Sequence, residues 1–238
     1  MQETNDGTCR GSISGQNQRH SEFMQHLSAE ANLELKSMMF ATSYPAGAIL
    51  FAEKDAPRMV FVVLEGEVKL SINSSDGKRL ILRIAKKGEI IGIAAALSGN
   101  PQDMTAETLY PAKLAPIGRR DYMNFLLRHP EAYQTLTEEL GRQFTLACEQ
   151  LRTVVLSTSA PEKLARLLLE WGESGQTTDS GIRFRFSLTH GEIGEFIGAS
   201  RETVTRTLSV FKSRRLVMFN GSTLTIPSRT ALEQYAGC

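Results

Sequence analysis

Short apolar runs separated by glycines dominate the first half of the chain. The β-prone runs lie at residues 48–51, 60–64, 67–72 and 80–84. Between the last two, Ser75-Asp76-Gly77-Lys78 is typical of a tight hairpin, because glycine adopts a positive φ without strain. The pattern predicts a compact antiparallel β domain from about residue 41 to residue 117, although it does not distinguish a barrel from a roll.

A long helical pattern follows the β domain. Neither proline nor a turn cluster interrupts residues 131–156, and apolar residues recur there every three or four positions. A narrow apolar seam remains between polar positions, formed by Leu140, Phe144, Ala147, Leu151 and Val154. A seam this narrow is typical of a coiled coil, so we expect a partner helix to cover it. The alternative is that the seam packs on the chain's own β domain.

A polar break with an early proline starts a second domain. Ser157-Thr158-Ser159-Ala160-Pro161 carries helix-capping side chains and a proline suited to a first helical turn. A helix through residues 164–171, a polar loop over 172–181 and an alternating strand over 182–188 follow. We therefore expect four parts. These are a flexible tail at 1–22, a β-rich domain at 23–130, a long helix at 131–157 and a second domain at 158–238.

Two short helices joined by a glycine turn occupy the middle of the second domain. Thr189 and Glu192 have the spacing of a capping box, and the helix they open ends at Gly198. A second helix starts at Ser200 and buries Val204, Leu208 and Phe211. Asn220-Gly221 between two β-prone runs at 216–226 predicts a hairpin beside it. The arrangement predicts a winged helix-turn-helix.

The outer face of the second helix has the chemistry that a DNA major groove requires. Arg201 and Arg206 are planar donors suited to guanine, and Glu202 is an acceptor for the cytosine amino group. We expect Ser200, Thr203 and Thr189 to contact phosphates. Residues 198–215 carry five basic side chains against one acidic one, which supplies a local positive field. The alternative is an ordinary solvated helix face.

Composition adds constraints on class and compartment. The chain has 238 residues, of which 41% are hydrophobic and 22% charged, typical of a soluble two-domain protein. Its net charge of +1 creates no overall field that attracts nucleic acid or an anionic membrane. Any affinity for DNA must therefore come from a local group of positive charges. The N-terminus lacks the apolar core of a signal peptide. Cys9, Cys148 and Cys238 have no paired spacing, which favours a reducing cytoplasm.

The sequence offers no catalytic apparatus. A cupin-like metal enzyme of this β class needs converging histidines, whereas neither histidine nor cysteine occurs between Phe40 and Arg128. We expect no metal site, and no hydrolase or P-loop motif is present. A regulatory module of a kinase or channel would not carry the winged helix. The pattern therefore favours a non-enzyme.

Two groups of motifs resemble the cyclic-AMP receptor protein and FNR family of bacterial regulators. The stretch 192–217, with the core SRETVTR, is similar to the family's recognition helix. Residues 47–51, 61–70 and 88–92 are similar to its β-roll. The resemblance covers about residues 30–230 and implies an α+β fold, with an N-terminal antiparallel β-roll like that of cyclic-nucleotide-binding domains, a long dimerisation helix and a C-terminal winged helix-turn-helix.

The resemblance also implies partners. Members of this family act as homodimers on palindromic double-stranded DNA, and Arg201, Glu202 and Arg206 match the positions that read a TGTGA-like half-site. The loops at 73–78 and 177–185 match places where relatives touch RNA polymerase. Because one continuous helix bridges the two predicted domains, with a hinge near residues 157–161, our hypothesis is that a signal in the β-roll shifts this helix. The shift would change the spacing of the two recognition helices, which must be about one DNA turn, roughly 34 Å.

The chain departs from the family at the effector site. The Arg-Ser pair that holds a cyclic phosphate is replaced by Gln102-Asp103, the glutamate that holds the ribose by Ile93, and the Thr-Ser pair that holds the base by Cys148-Glu149. With Glu89, these six residues are our effector-pocket candidates. An aspartate facing a buried phosphate would repel it, which argues against cyclic AMP or GMP. A slip of one or two residues in the match is the alternative.

Other sensing chemistries find no support either. An FNR-type iron-sulfur cluster needs four thiolates, and only Cys9 lies near the N-terminus, which excludes it. A haem sensor needs an axial ligand to the iron. Lone histidines such as His26 and His129 are more often surface or core residues than ligands, so haem sensing has no support. Cys148 on the seam is either an inert small hydrophobe or a redox-sensitive thiol. The effector therefore stays unidentified, and an effector-independent or thiol-responsive regulator of the same fold is the alternative.

Overall fold

The computed structural model describes residues 26–156 and 159–236. They form two compact units, divided after Gln150. The predicted tail at 1–22, with Cys9, lies outside the described residues, as do Cys238 and the pair Ser157-Thr158. The predicted helix start is nevertheless visible, because the Ser159 side chain accepts a hydrogen bond from the Glu162 amide and Pro161 lies in the first turn.

The N-terminal unit contains eight strands and four helices within the part that is described. They are α1 (Ala29–Met38), β1 (Thr42–Tyr44), β2 (Ile49–Phe51), β3 (Met59–Glu65), β4 (Val68–Asn73), β5 (Arg79–Ala85), β6 (Ile90–Ile91), α2 (Ile93–Ser98), β7 (Thr105–Thr108), β8 (Ala112–Gly118), α3 (Arg119–Arg128) and α4 (Pro130–Leu151). The four β-prone runs of the sequence correspond to β2, β3, β4 and β5. The expected antiparallel β domain is confirmed.

The strands form two antiparallel four-stranded sheets. One has the order β1-β8-β3-β6 and the other β2-β7-β4-β5. The hairpin between β4 and β5 turns at residues 74–78, where the Ser74 amide donates to the Lys78 carbonyl and Gly77 has φ +81°. The turn between β4 and β5 therefore lies where the sequence predicted it.

Two apolar cores hold this unit together. One joins side chains of both sheets, among them Phe61, Val63, Val68, Leu70 and Ala106. The other lies between one sheet and the helices, and its members include Val60, Ile117, Leu35, Phe125 and Leu136. Burial of each such side chain contributes about 1.5–3 kcal/mol before entropy losses.

Helix α4 packs its first half against the β-roll. Ala132 and Leu136 are buried in the helix-facing core, and Leu140 packs partly against it. The polar face also contacts the roll, because Arg142 pairs with buried Glu89 and the buried Gln150 side chain donates to the Ile81 carbonyl at 3.0 Å. The helical periodicity places Arg142 and Gln150 on the polar face, opposite the seam. Polarity alone does not distinguish a solvated face from one engaged in buried ion pairs and hydrogen bonds.

The predicted helix 131–156 changes its hydrogen-bonding pattern near its end. The α-helix stops at Leu151, and a π-helical segment, Arg152–Leu156, follows. Lys163 donates from Nζ to the Val154 carbonyl. A β-carbon on Gly198 would lie 3.2 Å from Cγ1 of Val154, so this segment contacts the helix-turn-helix. Such π segments are rare and frequently lie at functional sites.

The C-terminal unit is a winged helix. Its described elements are α5 (Ala160–Gly172), β9 (Gln176–Thr178), β10 (Gly181–Arg185), α6 (His190–Ile197), α7 (Arg201–Ser213), β11 (Met218–Asn220), β12 (Thr223–Ile226) and α8 (Arg229–Glu233). The strands form an antiparallel sheet in the order β11-β12-β10-β9. The predicted polar loop at 172–181 therefore contains a strand, β9, which pairs with β10 although its side chains are exposed and polar.

The wing turns one residue later than the sequence predicted. Asn220 pairs with Thr223 at the end of the β11–β12 ladder, and the two-residue loop is Gly221-Ser222. Gly221 has φ +58°, whereas Asn220 is not among the residues with positive φ. Glycine adopts a positive φ at a lower free-energy cost than asparagine. The turn therefore forms at Gly221-Ser222, and Asn220 stays in the strand.

Candidate DNA interface

The capping box predicted at the start of α6 is present. The Thr189 hydroxyl accepts from the Glu192 amide at 3.2 Å, and the Glu192 carboxylate accepts from the Thr189 amide at 2.9 Å. The helix ends at Gly198, which has φ +63°. These two ends fix the length of α6 and the direction in which the chain enters the turn.

The turn that joins α6 to α7 packs closely against Gly194. A β-carbon there would lie only 2.5 Å from the Ala199 carbonyl oxygen. The Ala199 amide in turn donates to the Gly194 carbonyl at 2.9 Å. The angle between the two helices is therefore held by backbone contacts rather than by adaptable side chains.

Helix α7 begins at Ser200, whose side chain accepts from the Thr203 amide at 3.2 Å. The predicted stripe of Val204, Leu208 and Phe211 is buried. Thr207 is buried too, which the sequence did not indicate, and its hydroxyl is satisfied by the Thr203 carbonyl at 2.8 Å. One face of α7 is therefore fixed in the core of the domain.

The opposite face of α7 presents the predicted base-reading residues. Arg201, Glu202 and Arg206 are all exposed. Hydrogen bonds from its own backbone amide and from the Ser200 side chain hold the pKa of the Glu202 carboxyl below its ordinary value. At neutral pH the face therefore offers two planar donor groups and one charged acceptor, a combination that can read guanine and cytosine edges.

The predicted phosphate contacts lie at the N-termini of the two helices. Thr189 and Ser200 are exposed N-cap residues, and Thr203 lies in the first turn of α7. The Thr189 hydroxyl already donates to Glu192 at 2.9 Å, so its first role is to cap α6. Backbone amides and the positive end of the helix dipole attract an anion at such positions.

Two contacts around this face were not indicated by the sequence. The ammonium group of Lys212 lies 4.5 Å from the ring centre of Phe219, which joins α7 to the wing. At the other end of α7, Nδ1 of His190 lies 2.8 Å from the Thr205 hydroxyl. The two residues of the first pair are seven positions apart along the chain and those of the second are fifteen, and no sequence motif marks either pair.

The six effector-pocket candidates are not gathered in one cavity. A cavity of about 360 Å³ in the β-roll is lined by Leu50, Phe51, Asp55, Ala56, Arg58, Met59, Phe61 and Gln102. Gln102 is thus the one candidate that lines it. Ile93 belongs to the helix-facing apolar core, and Cys148 and Glu149 on α4 are partly buried.

Asp103 does not occupy the position expected of it. Its side chain is exposed, so it does not face a buried phosphate, and the argument from repulsion is wrong. The resemblance placed it beside Gln102, but the chain bends at Asp103. Gln102 itself is 5% exposed.

Glu89 has a different environment from that of a ligand-binding carboxylate. It is buried, and it pairs with Arg83 and, at 3.4 Å, with Arg142 of α4. Arg142 also donates to Glu139 at 2.6 Å. We call these four residues the roll-helix ion cluster, because they join the β-roll to α4 through charged side chains of the chain itself.

The predicted dimer seam is exposed only in part. Phe144 is 73% and Leu151 51% exposed, and Val155, which the sequence did not assign to the seam, is 69% exposed. Leu140 instead packs partly on the β-roll and Val154 lies against Gly198, while Ala147 is partly buried. We call Phe144, Leu151 and Val155 the apolar stripe.

The part of the chain that the structure describes contains neither a membrane-spanning helix nor a cluster of metal-binding side chains. None of its helices is long and apolar enough to cross a membrane. No group of three or more histidine, cysteine, aspartate or glutamate side chains is arranged to hold a metal ion within residues 26–156 and 159–236.

Two protein families match the two units. The Crp-like helix-turn-helix domain matches residues 162–235, and the cyclic nucleotide-binding domain matches residues 41–129. A CRP-like cAMP-activated global transcriptional regulator of Mycobacterium tuberculosis is 24% identical over 213 residues, which are 89% of this chain and 95% of that protein.

Solved structures show the same fold. FixK2 from Bradyrhizobium japonicum has a TM-score of 0.73 at 20% identity, covering 83% of this chain and 96% of that one. The c-di-GMP responsive global regulator CLP of Xanthomonas campestris has a TM-score of 0.72 at 18% identity, covering 84% of this chain and all of that one. With both domains matched in order, the chain belongs to the CRP/FNR family and is a DNA-binding transcription regulator.

Proposed function

We propose that this protein is a homodimeric regulator that binds a palindromic site with TGTGA-like half-sites through Arg201, Glu202 and Arg206. The observation that carries the proposal is the exposed face of α7, where two arginines and one ionised glutamate project from a helix that is capped at its start and buried behind. Two such helices, one from each chain, would enter successive major grooves.

The apolar stripe supports the dimer. Phe144 and Leu151 on α4 and Val155 in the π-helical segment are exposed in the single chain, and covering them removes apolar surface from water. A second copy of the same helix is the partner that a closed twofold assembly provides. We further propose that RNA polymerase contacts the loops at 73–78 and 177–185, the second of which forms the β9–β10 hairpin.

We propose that the signal at the β-roll is neither cyclic AMP nor cyclic GMP. The cavity presents the neutral Gln102 amide where the family has a cation, and its basic lining residue, Arg58, is an exposed side chain. The relatives differ in signal, since one is named for cAMP and another for c-di-GMP. We expect neither an iron-sulfur cluster nor haem, no enzymatic activity, and a place in the cytoplasm beside the DNA.

A regulator that needs no effector is the second candidate, and one observation favours it. Arg142 contacts Glu89, and Gln150 donates to the Ile81 carbonyl, so side chains of the chain itself already tie α4 to the β-roll. A helix held in this way has no need of a ligand to position it. A Cys148-based thiol response is a further alternative, and Cys148 is a free, partly buried cysteine.

The test is selection of duplexes from a random library by the purified protein, with and without cyclic AMP. We expect a palindromic motif that is the same in both arms. Arg201→Ala should weaken binding to the selected duplex by about tenfold to a hundredfold and relax one base position, because a bidentate contact to guanine is lost.

Arg120→Ala is the matched control, since Arg120 is an exposed arginine on α3 of the N-terminal unit. It should leave the motif and the affinity unchanged. A motif that appears only with cyclic AMP would contradict the proposed signal, and an Arg201→Ala variant with an unchanged motif would contradict the assignment of that residue. If no duplex is enriched in either arm, the proposed operator binding by the purified protein is refuted.

A further inference from the structure

The cavity of the β-roll combines apolar surface with two charged side chains of opposite sign. Asp55 and Arg58 line it from the loop between β2 and β3, and both are exposed. The two strands supply its apolar lining, which consists of Leu50, Phe51, Met59 and Phe61. Phe51 and Phe61 are buried, with their ring centres 6.2 Å apart. The volume of about 360 Å³ lies near the lower end of the range of small-molecule sites, about 300–1,000 Å³.

The side-chain amide of Gln102 lines the same cavity without a partner. Gln102 is 5% exposed, and its side chain makes no hydrogen bond to another of the described residues. A β-carbon on Gly92 would lie 3.5 Å from Nε2 of Gln102 and 3.4 Å from Cε1 of Phe51, so the amide lies close to the aromatic surface. Buried polar groups are almost always hydrogen-bonded, because burial removes their bonds to water. The unpaired amide therefore indicates a ligand that supplies the missing bonds.

The two charged groups are held in place but are not paired with each other. Oδ2 of Asp55 accepts from the Ala52 amide at 2.8 Å, which leaves Oδ1 available. The Arg58 guanidinium has neither a hydrogen bond nor an ion pair within the described part of the chain. The backbone carbonyls of Asp55 and Arg58 accept from the Gln102 and Arg119 amides, each at 2.8 Å. The loop is therefore fixed at both ends and presents one anion and one cation.

These groups define the chemistry of the ligand. A guanidinium binds a carboxylate, a carboxylate binds an ammonium group, and an amide donates to the first and accepts from the second. A ligand with a single charge leaves either Asp55 or Arg58 without a partner. We infer that the cavity binds the zwitterion of an α-amino acid with an apolar or aromatic side chain, and that this amino acid is the signal at the β-roll. The inference rests on the regulatory function proposed above.

Each group of the amino acid has its own partner in this assignment. The carboxylate binds Arg58, the ammonium group binds Oδ1 of Asp55, and the Gln102 amide lies between them. The side chain of the ligand packs against Phe51 and Phe61, where it is removed from water. Glycine has both charges but no apolar group, and a cyclic nucleotide has a negative charge but no ammonium group for Asp55.

Equilibrium dialysis of the full-length protein without DNA tests the binding. We expect radiolabelled L-phenylalanine and L-leucine to bind and glycine not to compete with them. Hydrocinnamate, which lacks the ammonium group, and phenethylamine, which lacks the carboxylate, should each bind at least about tenfold more weakly than phenylalanine, because one charge-assisted contact is lost. If neither amino acid binds, or if either analogue binds as well as phenylalanine, the inference is overturned.

Two variants test the assigned partners. Arg58→Gln and Asp55→Asn each remove one charge, and both should weaken phenylalanine binding at least about tenfold. Asparagine keeps an oxygen that accepts from the Ala52 amide, so the loop is retained. Arg120→Gln and Asp121→Asn, at exposed positions of α3, are the matched controls and should bind like the wild type. Unchanged binding in Arg58→Gln or Asp55→Asn would refute the assignment.

Fluorescence anisotropy with the selected duplex tests the role as a signal. Saturating phenylalanine or leucine should change the duplex affinity of the wild type and leave that of Arg58→Gln unchanged. Amino-acid binding that leaves the duplex affinity of the wild type unaltered would overturn this role. A failure to select any duplex would refute the DNA-binding proposal and leave the dialysis result standing.

Discussion

Glu89 is a carboxylate enclosed by guanidinium groups. Its side chain is 3% exposed, and those of Arg83 and Arg142 are 13% and 20% exposed. Nη2 of Arg83 is buried without a hydrogen-bond partner among the described residues. Charges in this position cost free energy to desolvate and are tolerated only while each is compensated. The roll-helix ion cluster therefore makes the N-terminal unit sensitive to the loss of a single charge.

The change Glu89→Gln tests this sensitivity at the residue scale. It leaves two arginines without their shared counter-charge, so we expect the free energy of unfolding to fall by about 3 kcal/mol in urea titrations. Glu65→Gln is the matched control, because Glu65 pairs at 3.0 Å with Lys113 while both side chains are more than half exposed. That change should cost less than about 1 kcal/mol. Equal losses in the two variants would contradict the cluster's role.

Single residues of the DNA interface could be predicted from sequence where helix periodicity decides their direction. Arg201, Glu202 and Arg206 are exposed as expected, since they lie opposite the buried face of α7. The bond between His190 and Thr205 could not be predicted, because it joins residues fifteen positions apart and depends on how two helices cross. Asp103 was misplaced because an alignment assigns a position and does not give the direction of a side chain.

At the scale of elements, the crossing of α6 and α7 depends on one missing methyl group. Gly194→Ala puts a β-carbon within 2.5 Å of the Ala199 carbonyl oxygen, so the turn between the two helices must shift. We expect a loss of about 2 to 3 kcal/mol of stability and loss of specific DNA binding. Thermal unfolding and duplex anisotropy measure the two effects.

Gly191→Ala in the same helix is the control. Its β-carbon would meet nothing closer than the Thr189 hydroxyl, at 3.8 Å, which is ordinary contact. Alanine favours a helix over glycine by up to about 1 kcal/mol, so this variant should be as stable as the wild type or more so. A Gly194→Ala variant that behaved like Gly191→Ala would show that the helices adjust freely.

Elements were predictable where a local rule acts and less so where distant partners compete. Capping residues predicted the starts of α6 and α7, and short β-prone runs between glycines predicted β3, β4 and β5. The π-helical end of the long helix escaped prediction, since nothing in its residues marks it, and Lys163 satisfies one of its carbonyls from another helix. Strand β9 escaped too, because its pairing with β10 outweighs its polar composition.

At the scale of the whole molecule, the apolar stripe predicts the assembly state. Phe144→Glu places a charge where a second chain would pack, so sedimentation should show a monomer and binding to the palindrome should weaken at least tenfold. Leu127→Glu is matched to it, because Leu127 on α3 is 70% exposed and lies outside the stripe. That variant should sediment like the wild type. A wild-type protein that is monomeric at micromolar concentration would contradict the dimer.

If the proposed dimer is the active form, activity also depends on the abundance of the protein. If two chains must meet before either reads its operator, the active species grows with the square of the amount of protein whenever free chains predominate. A modest rise in synthesis would then give a disproportionate rise in promoter occupancy. If the proposed dimer forms through Phe144, Leu151 and Val155, promoter occupancy rises more steeply than gene dosage without any ligand.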